Sequence, residues 1–111
     1  MDKLTYQEII KRILREHAQY RSQGDDAVTS QVVFDDEQGH YLLLDVGWYE
    51  KKYWHTNPIH IDIISRQIWI QYDETEQGIA TDLLEAGIPR EQIVLGFKHP
   101  RMRPHTAFAT A

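Results

Sequence analysis

The sequence predicts an α+β fold: an N-terminal helix packed on a four-stranded antiparallel meander sheet, followed by a second helix, a short helical turn and an irregular tail. Three observations carry this expectation. Apolar residues recur at three- and four-residue steps near the start, and they alternate in two-residue steps through the middle. The connections between the alternating segments are also too short for parallel neighbours. At 111 residues, with 41% hydrophobic and 26% charged residues, the chain has the size and mixture of one globular domain, so a single domain over residues 1–111 is expected.

The first helix is read from Tyr6, Ile9, Ile10, Ile13, Leu14 and His17 on one face, with Lys11, Arg12, Arg15 and Glu16 on the other. It should end in the turn-rich residues 21–26, where Gly24 can take a left-handed stop. Residues 28–34 alternate as a strand, and the polar run 35–39 makes a turn. Residues 41–49 form the next strand, with Leu42, Leu44, Val46 and Trp48 on one face and Tyr41 and Leu43 on the other. Apolar residues on both faces predict a central strand covered on both sides for part of its length. A charged turn at 50–52 leads to an extended stretch from Tyr53 in which Asn57-Pro58 marks a bulge, an edge or a break. Residues 59–64 and 68–72 flank Ser65-Arg66-Gln67 as a hairpin. The proposed sheet core is Leu42, Leu44, Ile61 and Ile63. Asp73 or Thr75 should cap a second helix whose buried stripe is Ile79, Ala80, Leu83 and Leu84. Gly87 should close it in the left-handed conformation, and residues 89–93 should make one helical turn. Residues 94–97 are too short to classify, and the tail from Lys98, with two prolines, should run irregularly over the surface.

Composition excludes several kinds of chemistry. There is no cysteine, which removes disulfides, thiolate metal sites and cysteine nucleophiles and suits a reducing compartment. The N-terminus has neither a basic head nor an apolar core, and the apolar runs are far shorter than a membrane span, so a cytoplasmic location is expected. A net charge of -5 argues against a surface built mainly to neutralise phosphates. No serine sits in a nucleophile elbow, and the single, scattered glycines form no phosphate-cradling loop. The acids at 73, 74 and 76 lack the pattern of a calcium loop and are better explained as a helix cap.

His60 and Asp62 share a strand face and can share a metal, and His55 lies five residues away on what reads as a separate stretch. With two ligands and no third at a diagnostic spacing, neither a metal site nor a cofactor is expected, and no residue is assigned a catalytic role. The contact candidates are of two kinds. Trp48, Tyr49, Lys51, Lys52 and Trp54 form an aromatic and basic mixture around one turn, of the kind found on interaction surfaces. Lys98, Arg101 and Arg103 place three positive charges in the tail, where they can meet a phosphate or an acidic partner.

A series of short segments then resembles a known family. Asp45-Val46-Gly47-Trp48, His60-Ile61-Asp62-Ile63-Ile64 and Ile68-Trp69-Ile70-Gln71 are followed by Thr75-Glu76-Gln77-Gly78-Ile79-Ala80, Ala86-Gly87-Ile88-Pro89 and Ile93-Val94-Leu95-Gly96-Phe97. In this order they resemble XisI-like proteins, the fdxN element excision controlling factors found mainly in cyanobacteria, over essentially the whole chain. One departure is Ser65-Arg66-Gln67, where relatives often place a glycine-containing turn, which leaves open a different turn type. The resemblance implies an accessory role without catalysis. Such proteins act with a second small protein, XisH, to control a site-specific recombinase that excises a DNA element. It implies an XisH-like protein as partner and the recombinase as an indirect one, and leaves open whether the chain touches DNA within the complex. Self-association through the sheet or its aromatic residues is also expected. The competing readings are direct DNA binding through the basic tail and, more remotely, a small metal-dependent hydrolase or nuclease using His60 and Asp62.

Overall fold

The computed structural model describes residues 2–21 and 27–111. Of the turn expected at 21–26, residues 22–26 lie outside the described residues. Helix α1 (Lys3–Arg21) is opened by Asp2, whose carboxylate accepts the Thr5 amide at 2.9 Å. It buries Tyr6, Gln7, Ile10, Ile13 and Leu14, one stripe of the predicted periodicity. Strands β1 (Thr29–Asp35), β2 (His40–Tyr49), β3 (Lys52–Ile64) and β4 (Gln67–Asp73) pair in sequence order as an antiparallel meander. Helix α2 (Ile79–Glu85) then crosses over to β5 (Ile93–Leu95), which pairs with β4 in parallel. Among the described residues the sheet therefore has five strands and is mixed, not four-stranded and antiparallel. The segment between β4 and β5, helix included, is long enough for the crossover that a parallel pair requires. A three-residue strand has no periodicity of its own from which it can be read.

Gly78 occupies the N-cap position of α2, and of the two expected capping side chains it is Asp73, not Thr75, that reaches the helix start. Its carboxylate accepts the Ile79 amide at 2.7 Å and the Thr75 amide at 2.8 Å. Gly87, at φ 95°, closes the helix as expected, with Ile88 N–H donating back to the Leu83 carbonyl at 3.1 Å. Arg90–Gln92 is the expected single turn, of the 3-10 type. The 65–66 turn is a two-residue hairpin loop in which Ser65 (φ 49°) and Arg66 (φ 67°) both adopt positive φ. It has the geometry that glycine favours, carried here without glycine.

Both helices lie on one face of the sheet. Their apolar stripes meet Tyr41 and Leu43 of β2, Ile59 and Ile61 of β3, Ile68 and Ile70 of β4, and Ile93 of β5, all buried. This corrects the proposed core: Ile61 belongs to it and Ile63 packs at its margin, but Leu42 and Leu44 point to the other face and are half-buried. The pairing register is the reason. Tyr41 faces Ile61 and Leu43 faces Ile59, whereas Leu42 faces His60, so Leu42 shares its side of the sheet with a polar residue. Strand β2 is accordingly covered by a helix on one side only.

Asn57-Pro58 does not break β3, which runs unbroken from Lys52 to Ile64. The proline sits where the β2–β3 register shifts between Leu43 and Asp45, the bulge that was one of its three expected settings. The tail is more ordered than an irregular surface run: Ala109 donates to the Ile93 carbonyl at 2.9 Å and bridges Val94 in parallel, covering part of the β5 edge. Among the described residues, no helix is long and apolar enough to cross a membrane.

Candidate functional site

The tip of the β2–β3 hairpin gathers most of the aromatic candidates. Trp48 and Tyr53 are cross-strand partners with ring centroids 5.3 Å apart, and both are exposed, as is Tyr49. Lys52 reaches over the Trp54 ring, with Nζ 4.5 Å from its centroid, and Lys51 stands exposed in the turn. Glu50, at φ 55°, turns the chain there in a conformation uncommon for a residue with a side chain. Three large aromatics left exposed at one hairpin tip are not core packing, and aromatic residues are the ones enriched at contact surfaces.

The tail candidates separate. Arg103 is not a free surface charge: its guanidinium lies 5.0 Å from the centroid of Trp69 and donates to the Lys98 carbonyl at 3.1 Å and the Gly96 carbonyl at 3.3 Å. It fastens the tail to the sheet. Lys98 and Arg101 remain exposed, with Lys98 Nζ 5.7 Å from the Phe97 ring centroid. The tail and the hairpin tip do not form one surface. Trp69, Asp62 and His40 make one cross-strand row, and Trp48 is eight residues further along β2 than His40, roughly 26 Å at the usual strand rise.

A buried carboxylate stands on each face. On the helix side, Asp45 accepts hydrogen bonds from Arg21 at the end of α1 and from Ser30 Oγ at 2.6 Å. Burial pushes its carboxyl up, but the bonds from Arg21 and Ser30 outweigh burial and hold it below the usual carboxylate range. The folded state thus releases this proton more readily than the unfolded chain. The resulting stability is fully present above the unfolded pKa and is lost as pH falls through the lower folded value. Asp45→Asn should therefore flatten the fall of the melting temperature between about pH 5 and about pH 2, relative to the unchanged protein. A thermal melt at stepped pH checks it; an unchanged acid slope would remove Asp45 as a source.

On the open face, Asp62 is the centre of a second cluster. His40 Nδ1 lies 2.7 Å and His60 Nε2 2.8 Å from its Oδ1, and Gln71 Nε2 donates to its Oδ2 at 3.2 Å. Burial pushes the Asp62 carboxyl up, and the bonds to His40 and His60 more than offset it, leaving it low. The same hydrogen bond, helped by the charge of Asp62, pushes His40 up. Sequence spacing found His60 and Asp62 but missed His40, because that residue arrives only through the register that sets it opposite Asp62. His55, expected on a separate stretch, lies on β3 with His60 and is exposed.

Comparison with known proteins agrees with the segments read in the sequence. The family model described as XisI protein matches residues 1–110. The crystal structure of a XisI-like protein from Anabaena variabilis superposes with a TM-score of 0.90 at 35% identity, covering 98% of this chain and 99% of that one. That of the fdxN element excision controlling factor XisI from the same organism gives 0.84 at 33% identity, with 98% of each chain covered. No functionally curated protein matches. Matched in sequence and in fold from one end to the other, the chain belongs to the XisI family.

Proposed function

We propose that this protein is a cytoplasmic accessory factor in the control of site-specific DNA excision, working by binding an XisH-type partner and not by catalysis of its own. Through that partner it acts on a recombinase, and DNA is met only within the complex. The observation that carries the reading is the full-length match to a solved relative named as an excision controlling factor. The hairpin tip supports it as the partner-facing surface, because Trp48, Tyr49 and Tyr53 are exposed around Lys51 and Lys52. Arg103 is engaged with Trp69, which leaves Lys98 and Arg101 as the freer tail charges on a chain of net charge -5. That is little positive charge with which to approach DNA alone.

The test is co-purification with the product of the neighbouring gene, followed by calorimetry of the pair. Trp48→Ala and the double change Lys51→Glu, Lys52→Glu should each weaken the complex about tenfold or more while leaving the melting temperature unchanged. Lys98→Glu with Arg101→Glu tests the tail. Arg103 is unsuited to this purpose, since reversing it would also release the tail from Trp69. Light scattering on the chain alone tests the proposed self-association, which a monomer mass at micromolar concentration would remove. Strong, salt-dependent DNA binding by the chain alone, with no partner complex, would favour direct DNA recognition instead. DNA cleavage that requires a metal and is abolished by His60→Ala would overturn the non-catalytic reading.

A further inference from the structure

The open face of the sheet holds a group of side chains that the accessory role does not use. His60 and Asp62 are two residues apart on β3, and His40 is the cross-strand partner of Asp62 on β2, so all three project from one face of two adjacent strands. One ligand atom from each lies within 4.8 Å of the others. We propose that His40 Nδ1, His60 Nε2 and Asp62 Oδ1 form a binding site for one first-row divalent transition-metal ion of the zinc(II) class.

Donor chemistry selects the class of ion. Two imidazoles and one carboxylate suit zinc, copper, nickel or iron, while magnesium and calcium take oxygen ligands almost exclusively. The separations are close to what such an ion needs. Ligand atoms around a tetrahedral zinc stand about 3.3 Å apart, so the 2.7 and 2.8 Å contacts to Oδ1 need to open by about half an ångström, and the two ring nitrogens, within 4.8 Å of each other, must come to the same spacing. His40 is exposed and turns about its side-chain bonds to supply that movement. Without metal, the two ring nitrogens serve Oδ1 as hydrogen-bond donors. A neutral histidine that moves its proton to the other ring nitrogen presents a lone pair in the same direction, and the pair of donors becomes a pair of ligands.

The surroundings hold the carboxylate as a ligand. Gln71 is the residue left unpaired where the β3–β4 register shifts between His60 and Ile61, a bulge that aims its amide at Asp62 Oδ2. With Oδ2 held, Oδ1 is kept toward the imidazoles, the part that outer partners play around metal-bound carboxylates. Gly96 makes room for this amide: a Cβ there would lie 2.5 Å from Gln71 Oε1. The other side is fixed by the β1–β2 turn, where Ile63 N–H donates to the Gly39 carbonyl at 2.9 Å and so carries the β2–β3 pairing past His40. Access is from solvent, over a shallow cleft lined by Val33, Asp35 and Leu42, and the ion keeps at least one position for water or for a donor from outside the chain.

The site is tested on tag-free, full-length protein by titration with zinc(II), followed calorimetrically, and with cobalt(II), followed by its visible absorption. One ion per chain is expected. His40→Ala and His60→Ala should each weaken binding by at least about tenfold and abolish the cobalt spectrum, and Gln71→Ala should weaken it about tenfold through the freed carboxylate. His99→Ala with His105→Ala, in the tail, should leave it unchanged. His40 is exposed, so its replacement removes a ligand without touching the core, and an unaltered melting curve of the metal-free variant confirms that. The proposal is overturned if binding is not saturable at one ion per chain, or if folded His40→Ala and His60→Ala bind zinc as the unchanged protein does. Partner binding and metal binding are separate measurements, so either proposal can fail without the other.

Discussion

Leu43→Ala should destabilise the protein by about 3 kcal/mol, whereas Leu42→Ala, its immediate neighbour, should cost about 1 kcal/mol. Leu43 is fully buried under the helices, between Ile59 and the α1 stripe, and its truncation leaves a cavity that the β2 backbone cannot close. Leu42 is half-buried on the open face, where solvent and neighbouring side chains fill the space it leaves. For a domain with a total stability of about 5–15 kcal/mol, the larger loss is a substantial fraction of the whole. Chemical denaturation of the pair reads the difference directly. Equal losses would mean that the sheet is covered on both sides, as the sequence alone suggested for β2.

Gly47→Ala should cost about 3 kcal/mol by a different route. Gly47 stands at φ 142°, a conformation that residues with side chains rarely adopt, and a Cβ there would meet the Ala27 carbonyl oxygen at 2.2 Å and Val28 Cα at 2.9 Å. Both obstacles are backbone, so relief requires the chain entering β1 to move away from β2. Gly96→Ala makes the contrast. There the closest obstacle is the end of the Gln71 side chain, which can swing aside; the Trp69 ring at 3.1 Å and the Ile70 carbonyl oxygen at 3.2 Å need give only a few tenths of an ångström, and φ lies outside the left-handed range. It should cost less than about 1 kcal/mol. The two melting temperatures should differ clearly, and a Gly47→Ala protein as stable as the unchanged one would remove the close approach of the Ala27 and Val28 backbone as the reason for glycine.

What the sequence determined by itself is what depends on near neighbours in the chain. The burial of Tyr6, Ile10, Ile13 and Leu14 follows from a 3.6-residue period, because residues three and four apart necessarily share a helix face. The same locality made the α2 stripe, the choice of Asp73 or Thr75 as capping side chain, the Gly87 stop and the antiparallel order of the first four strands readable. The series of short segments was local information too, and it was enough to point to the family.

Tertiary structure alone decided what depends on pairing between distant segments. Alternation says that Tyr41 and Leu43 oppose Leu42 and Leu44, but both sets are apolar. Only the register with Ile59, His60 and Ile61 settles which set meets the helices. That register also brings His40 to Asp62 from 22 residues away and turns a two-residue spacing into a three-residue cluster. The bulge that aims Gln71 and the crossover that adds β5 belong to the same class. So does the stacking of Arg103 on Trp69, which turns a basic tail residue into an anchor. A strand carries its period in its own residues, whereas its register is a property of two strands, selected by the free energy of burying one combined face.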